Sequence, residues 1–215
     1  MTARIVPDGT DGRAEAVRVL EAGGIVALPT DTVYGLAANL ADVDAIERLF
    51  AAKRRPADRA VVLLLAEVGQ AEGLAAWPPA ADAFARAFWP GALTLVVAQR
   101  SDAGLPSELT GGRPTVGLRV PDHPSPRALA AALGPLPVTS ANVSGLPEAS
   151  DAAEIRDQLG DAIELILDGG PAEGGSPSTV VDCSRALPGI LRAGAISEDE
   201  IARCLLDAGL PALER

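Results

Sequence analysis

Residues 60–66 read AVVLLLA, an unbroken apolar run between the basic segment KRRPADR (residues 53–59) and Glu67. The run is too short for an ordinary helix and lacks the in–out alternation of a strand with one wet face. It has the pattern of a central strand covered on both faces, as in sheets with helices above and below. Upstream, DVDAIERLFAAK (residues 42–53) sets Val43, Ile46, Leu49 and Phe50 on one helical face behind Asp42 as a cap. Before it, GRAEAVRVLEA (residues 12–22) predicts a helix that Gly23 and Gly24 stop, followed by the strand IVALP. Downstream, alanine-rich helices are expected over 67–88, then a strand at ALTLVVA, one at TVGLRV, a helix at PSPRALAAAL and a strand at LPVTS. The remainder predicts a helix near 150–159, strands at IELIL, TVVDC and GILR, and a short final helix over 197–208. The alternation indicates an α+β chain of the three-layer α/β type, with about seven strands in one twisted mixed sheet and helices on both faces.

The chain has 215 residues, 48% of them hydrophobic, which is enough for one sizeable core without a linker or repeat. Eighteen basic residues against 29 acidic ones give a net charge of −11, which opposes general attraction to a nucleic-acid backbone. Cys183 and Cys204 have no metal-ligand spacing, and His123 is the single histidine, so a zinc centre or a histidine triad built elsewhere is excluded. His123, set between prolines ahead of a helix, suits a turn or cap better than a general base. With no apolar leader and no run near the ~20 residues of a membrane span, a cytoplasmic protein is expected.

Polar residues gather where strands end, which is where α/β sheets place ligands. Thr139 to Gly145 offers Thr139, Ser140, Asn142 and Ser144, either as a wrap for phosphate or a small polar ligand or as a connecting turn. Lys53, Arg54, Arg55 and Arg59 either meet a phosphate or carboxylate or offset a helix dipole in solvent. GGPAEGGSPSTVVD (residues 169–182) ends in Ser178 and Thr179 without the pattern of a P-loop. Arg119 and Arg192 follow apolar strand residues and point either to water or to an anion. Hydroxyls, one amide and cations without a resident nucleophile suit reactions in which substrates supply nucleophile and leaving group, such as phosphoryl or nucleotidyl transfer.

In that order along the chain, PTDTVYGLA, KRRP, FWPGALTLV, TVGLRVPDHP, TSANVSG, PSTVVD and ILRAGAI resemble the YrdC-like family of L-threonylcarbamoyladenylate synthases, over about residues 23–196. The resemblance implies a YrdC-like fold with a concave, locally positive pocket, in a short single-domain form spanning residues 1–215. It implies a nucleotidyltransferase that turns L-threonine, bicarbonate and ATP, with Mg²⁺, into threonylcarbamoyladenylate and diphosphate for the threonylcarbamoyladenosine of tRNA. Downstream tRNA threonylcarbamoyltransferase proteins would take the product.

Carried over by position, Lys53, Arg55, Ser140 and Asn142 would be catalytic. ATP would be held by Lys53, Arg55, Arg59, Ser140, Asn142, Ser144 and Arg192. Threonine would be held by Thr32, Arg119, Thr139 and Ser178, with Arg119 pairing its carboxylate. No metal-ligating residue is implied. Lys53 and Arg55 are expected at a loop, outside the core. ADRAVVLLLA departs from relatives that carry Lys or Asn and then PL, which bears on Arg59. In LPTDTVYGL (residues 28–36), Thr32 is expected to touch threonine, and Asp31 and Tyr34 to shape the loop. Two other functions stay open: carbamoyl-phosphate-dependent adenylation, as in hydrogenase-maturation carbamoyltransferases, and a non-catalytic RNA-binding module. Weak RNA contact as a side activity is compatible with either.

Overall fold

The computed structural model describes residues 2–54, 61–172 and 175–214. Its elements run β1 (Arg4–Pro7), α1 (Thr10–Glu21), β2 (Val26–Leu28), β3 (Gly35–Ala37), α2 (Val43–Ala52), β4 (Val62–Leu64), α3 (Pro79–Phe88), β5 (Leu93–Ala98) and α4 (Ser107–Thr110). They continue with β6 (Thr115–Arg119), α5 (Pro124–Leu133), β7 (Leu136–Ser140), α6 (Ala152–Leu159), β8 (Leu165–Asp168), β9 (Thr179–Asp182), β10 (Gly189–Arg192) and α7 (Glu198–Asp207).

Local chemistry accounts for the helix ends. Asp42 accepts from the Ala45 amide at the start of α2, Ser197 and Glu200 form a capping box on α7, and the His123 imidazole accepts from the Ser125 amide at the head of α5. His123 is thus the cap that its setting suggested. At the end of α1, Gly23 takes φ +81°, the left-handed stop that a side chain disfavours.

All ten described strands join one sheet in the order β1-β8-β2-β3-β7-β4-β6-β5-β9-β10. Parallel pairs (β1 with β8, β8 with β2, β4 with β6, β5 with β9) mix with antiparallel ones (β2 with β3, β3 with β7, β7 with β4, β6 with β5, β9 with β10). The sheet is mixed as expected but has ten strands rather than about seven. β1 and β3 are the unexpected ones. β3 is only Gly-Leu-Ala, without β-branched residues, and forms because β2 and β7 flank it; a Cβ on Gly35 would stand 2.5 Å from Val138 Cγ1. Of the helices expected to fill 67–88, a 3₁₀ turn at Val68–Ala71 and α3 form, and the stretch between them, where Ala75 bridges to Gln99, is not helical. Pro78 and Pro79 allow α3 to begin but not to extend backward.

Helices cover both faces. On one, α1 and α5 bury Ala16, Leu20, Leu129 and Ala130 against β2, β8 and β7. On the other, α2, α3, α6 and α7 pack Leu49, Phe84, Ile155 and Ile201 into the larger core. β4 sits between β7 and β6 as the central strand AVVLLLA predicts; Leu63 faces the larger core and Leu64 the smaller one. None of the described helices is long and apolar enough to cross a membrane.

The contact of α1 with the sheet is close enough to test. A Cβ at Gly12 would lie 2.2 Å from the Pro7 carbonyl oxygen, whereas one at Gly73 meets nothing within 4 Å. Gly12→Ala is therefore expected to lower unfolding stability by about 1–3 kcal/mol, and Gly73→Ala to change it by less than ~0.5, read as shifts in urea midpoint.

Candidate active site

α1 and α5 cover only half of their face of the sheet. Past β4 that face carries no helix among the described residues, and alternate strand residues form the floor of a pocket of about 580 Å³. Successive residues of a strand point to opposite faces, so Val62 and Leu64 of β4, Thr115, Gly117 and Arg119 of β6, Thr94 and Val96 of β5, and Val180 and Asp182 of β9 share one side. The loop between β2 and β3 forms one wall, and Ser178, Leu191 and Arg192 the opposite one. Among the described lining residues, Arg113, Arg119, Arg185 and Arg192 outnumber Glu148 and Asp182, so the pocket is locally positive in an acidic chain.

Arg119 organises one end. It is 5% exposed, and its guanidinium donates to Asp31 Oδ1 (2.6 Å), Thr32 Oγ1 (2.9 Å) and the Gly91 carbonyl (2.9 Å). Burial lowers its pKa from the ordinary arginine value, the Asp31 carboxylate works against that, and Arg192 nearby adds repulsion between like charges. Arg192 reaches in from exposed β10 and donates to the Ser178 carbonyl (2.7 Å) and Oγ (3.0 Å), while Ser178 Oγ shares a hydrogen bond with Thr94 Oγ1 (2.8 Å). Partial desolvation also lowers the Arg192 pKa, and Glu148 opposes that shift. Two guanidiniums that repel each other across buried hydroxyls make a receptor for an anion.

The PTDTVYG loop owes its polarity to this end. Thr30 Oγ1 donates to the Val33 carbonyl (2.6 Å), and the Thr32 amide donates back to Thr30 Oγ1 (3.1 Å). The Tyr34 hydroxyl donates to the Gly170 carbonyl (2.6 Å) and accepts from the Gly169 amide (3.0 Å), tying the loop to the turn after β8. Burial raises the Tyr34 pKa, so the phenol stays protonated.

Where that loop enters β3, Gly35 pairs with Ser140 and the Ala141 amide donates to the Tyr34 carbonyl; behind this point Lys53 closes α2 and is 2% exposed. Its ammonium donates to the Ser140 carbonyl, the Asn142 carbonyl (2.8 Å) and Asn142 Oδ1 (2.9 Å), and Asn142 Oδ1 also accepts from Ser140 Oγ (2.7 Å). The two sequence elements therefore meet, but Lys53 is buried rather than set in an open loop. Thr139 and Ser140 line the pocket; Lys53, Asn142 and Ser144 stand behind its wall, the Ser144 amide donating to the Lys53 carbonyl (3.0 Å). Of the residues expected at threonine, Thr32, Arg119, Thr139 and Ser178 all line this pocket, and of those expected at ATP, Ser140 and Arg192 do. Arg55 and Arg59 lie outside the described residues.

Sequence inspection missed Asp31 as the partner of Arg119, Thr94 as the partner of Ser178, and the lining residues Arg113, Arg185 and Glu148. Thr94 left a signal, a hydroxyl inside the apolar strand LTLVVA. The Asp31–Arg119 pair left none, because 88 residues separate its members.

Residues 18–194 match the family model Sua5/YciO/YrdC, described as "Telomere recombination". The threonylcarbamoyl-AMP synthase of Bacillus subtilis is 40% identical over 87% of this chain and 55% of its own length, so the chain spans about half of that relative. The threonylcarbamoyl-AMP synthase of Vibrio vulnificus is 38% identical over 78% of this chain and 91% of its own. The crystal structure of P. abyssi Sua5 complexed with L-threonine superposes with a TM-score of 0.88 at 36% identity, covering 95% of this chain and 61% of that one. With an extended family match, relatives of this identity and a shared sheet, the chain belongs to the Sua5/YciO/YrdC family.

Proposed function

We infer that this chain is a threonylcarbamoyl-AMP synthase that joins L-threonine, bicarbonate and ATP into threonylcarbamoyladenylate and diphosphate. One observation supports this best: the pocket carries cations and hydroxyls but, among its described lining residues, no Cys or His to serve as nucleophile or base. Such a site suits a reaction in which the substrates react with each other. The threonine amine would attack bicarbonate to give a carbamate and water. A carbamate oxygen would then attack the α-phosphorus of ATP, forming the mixed anhydride and releasing diphosphate.

Arg119, held rigid by Asp31, Thr32 and the Gly91 carbonyl, would receive the threonine carboxylate. Thr32, Thr139 and Ser178 would orient the amino acid, and Arg192 would meet the nucleotide. Ser140 would contact ATP directly, with Lys53 and Asn142 fixing its position. Arg55, Arg59 and Ser144 are proposed for the same substrate from the family motif. Mg²⁺ would arrive on the triphosphate, neutralising its charge. Of the two pocket carboxylates, Glu148 has no hydrogen bond or ion pair among the described residues and could accept from a metal-bound water. The product would serve tRNA threonylcarbamoyltransferase proteins in the cytoplasm. The likenesses do not favour the carbamoyl-phosphate or RNA-binding alternatives.

Pure protein incubated with ATP, Mg²⁺ and bicarbonate should release diphosphate and form the adenylate only when L-threonine is present. Release that ignores threonine, or that requires carbamoyl phosphate, would overturn the assignment. Asp31→Asn should raise the KM for threonine about tenfold with a much smaller effect on ATP, because Arg119 loses the anion that holds it. Lys53→Met should abolish most ATP use and also cost about 2–4 kcal/mol of stability, since the Ser140 and Asn142 acceptors lose a buried ammonium donor. Normal stability with lost activity would show that the ammonium is not holding the loop.

A further inference from the structure

Along β6 the residues facing the pocket are Thr115, Gly117 and Arg119, and Arg113 continues the same line just before the strand. Six residues of extended chain span about 20 Å, so Arg113 and Arg119 bracket the long axis of the pocket. Between them Gly117 leaves the floor bare. A Cβ there would meet Thr94 Cγ2 and Val62 Cγ2 at 3.6 Å, which is ordinary contact, so neither backbone conformation nor crowding requires this glycine. A glycine inside a strand often marks a bulge, a bend or a close approach to the backbone, and Gly117 pairs in regular register with Val62 and Val96, which removes the bulge and leaves room for a ligand against the backbone.

The other pocket arginines are engaged: Arg119 by Asp31, Arg192 by Ser178, and Arg185 by Asp182 (3.3 Å) and Glu214 (3.5 Å). Arg113 is exposed, and its guanidinium has no hydrogen bond or ion pair among the described residues. Its backbone is nevertheless fixed, since its carbonyl accepts from Gln99 Nε2 (3.0 Å) and its amide donates to the Thr110 carbonyl (3.3 Å). The backbone that carries the charge is fixed, and the charge itself is unpaired among the described residues.

Strand register decides which end of the pocket this is. Val62 pairs with Gly117 on one side and Val138 on the other. β4 is parallel to β6 and antiparallel to β7, so the step from Gly117 back to Thr115 runs in the same direction as the step from Val138 on to Ser140. Arg113 therefore lies at the Ser140 end, opposite Arg119. We propose that Arg113 is a phosphate-binding residue of the active site that contacts the polyphosphate of ATP. This rests on the assignment of ATP as a substrate. It adds a cation to the nucleotide end that the family motif does not include.

The test uses the whole chain as wild type, Arg113→Ala and Arg113→Lys. Mg-ATP affinity is measured by calorimetric titration without threonine, at low and high salt, and the KM for threonine separately. Arg113→Ala should weaken ATP binding roughly three- to tenfold and flatten its salt dependence, and Arg113→Lys should recover part of the loss. The threonine KM and the melting temperature should stay near wild type. An ATP affinity within about twofold of wild type in Arg113→Ala, or an equal loss for both substrates, overturns the proposal. If the wild type binds ATP but makes no adenylate, the proposed function fails while Arg113 is still judged by the titration; a wild type that binds no ATP overturns both.

Discussion

A guanidinium taken out of water costs several kcal/mol unless charge and hydrogen bonds replace its hydration, and at Arg119 two segments distant in sequence supply that replacement. Asp31 and Thr32 come from the loop between β2 and β3, the Gly91 carbonyl from the turn before β5, and Arg119 itself from the end of β6. Satisfying one cation thus joins distant parts of the chain around a single point. The same requirement explains a polar loop directly after a fully buried strand: without Asp31 and Thr32 the end of β6 would carry an uncompensated charge. Tyr34 secures the other side of that loop, its hydroxyl held between the two glycines that follow β8.

The pocket exists because the helices on one face stop short. α1 and α5 cover β8, β2 and β7, and the remaining strands of that face present hydroxyls, a glycine and arginines where a helix would otherwise pack. Behind the pocket, Leu63, Leu95, Leu118 and Val181 of the same strands are buried in the larger core, so the floor of the pocket is the back of a rigid core. A rigid sheet with fixed donors suits chemistry that depends on orientation and charge neutralisation, because no donor has to reorganise as charge develops.

The Lys53 cluster shows how a motif can act at one remove. Its ammonium does not project into open space; it holds the Ser140–Asn142 loop in shape, and Ser140 alone of the three reaches the pocket wall. Burial and hydrogen bonding at Lys53 therefore couple the end of α2 to the end of β7. A substitution there is felt in folding as well as in the site.

Apolar periodicity and capping residues by themselves determined the layered fold: AVVLLLA as a central strand, the helices begun by Asp42, His123 and Ser197, and the mixed α/β order. These are local properties, written within a few residues of where they act. The motifs likewise marked Thr32, Arg119, Ser140, Ser178 and Arg192 as residues that would share a site. Only the tertiary structure decided the rest. β3 forms because β2 and β7 offer it two edges, and residues 72–78 are kept out of a helix by prolines and by a bridge to the sheet. Lys53 is buried, Asp31 finds Arg119 across 88 residues, and Thr94 finds Ser178 across 84. Such pairings follow from which strands lie side by side, and strand order depends on packing over the whole sheet, which no short stretch of the chain contains.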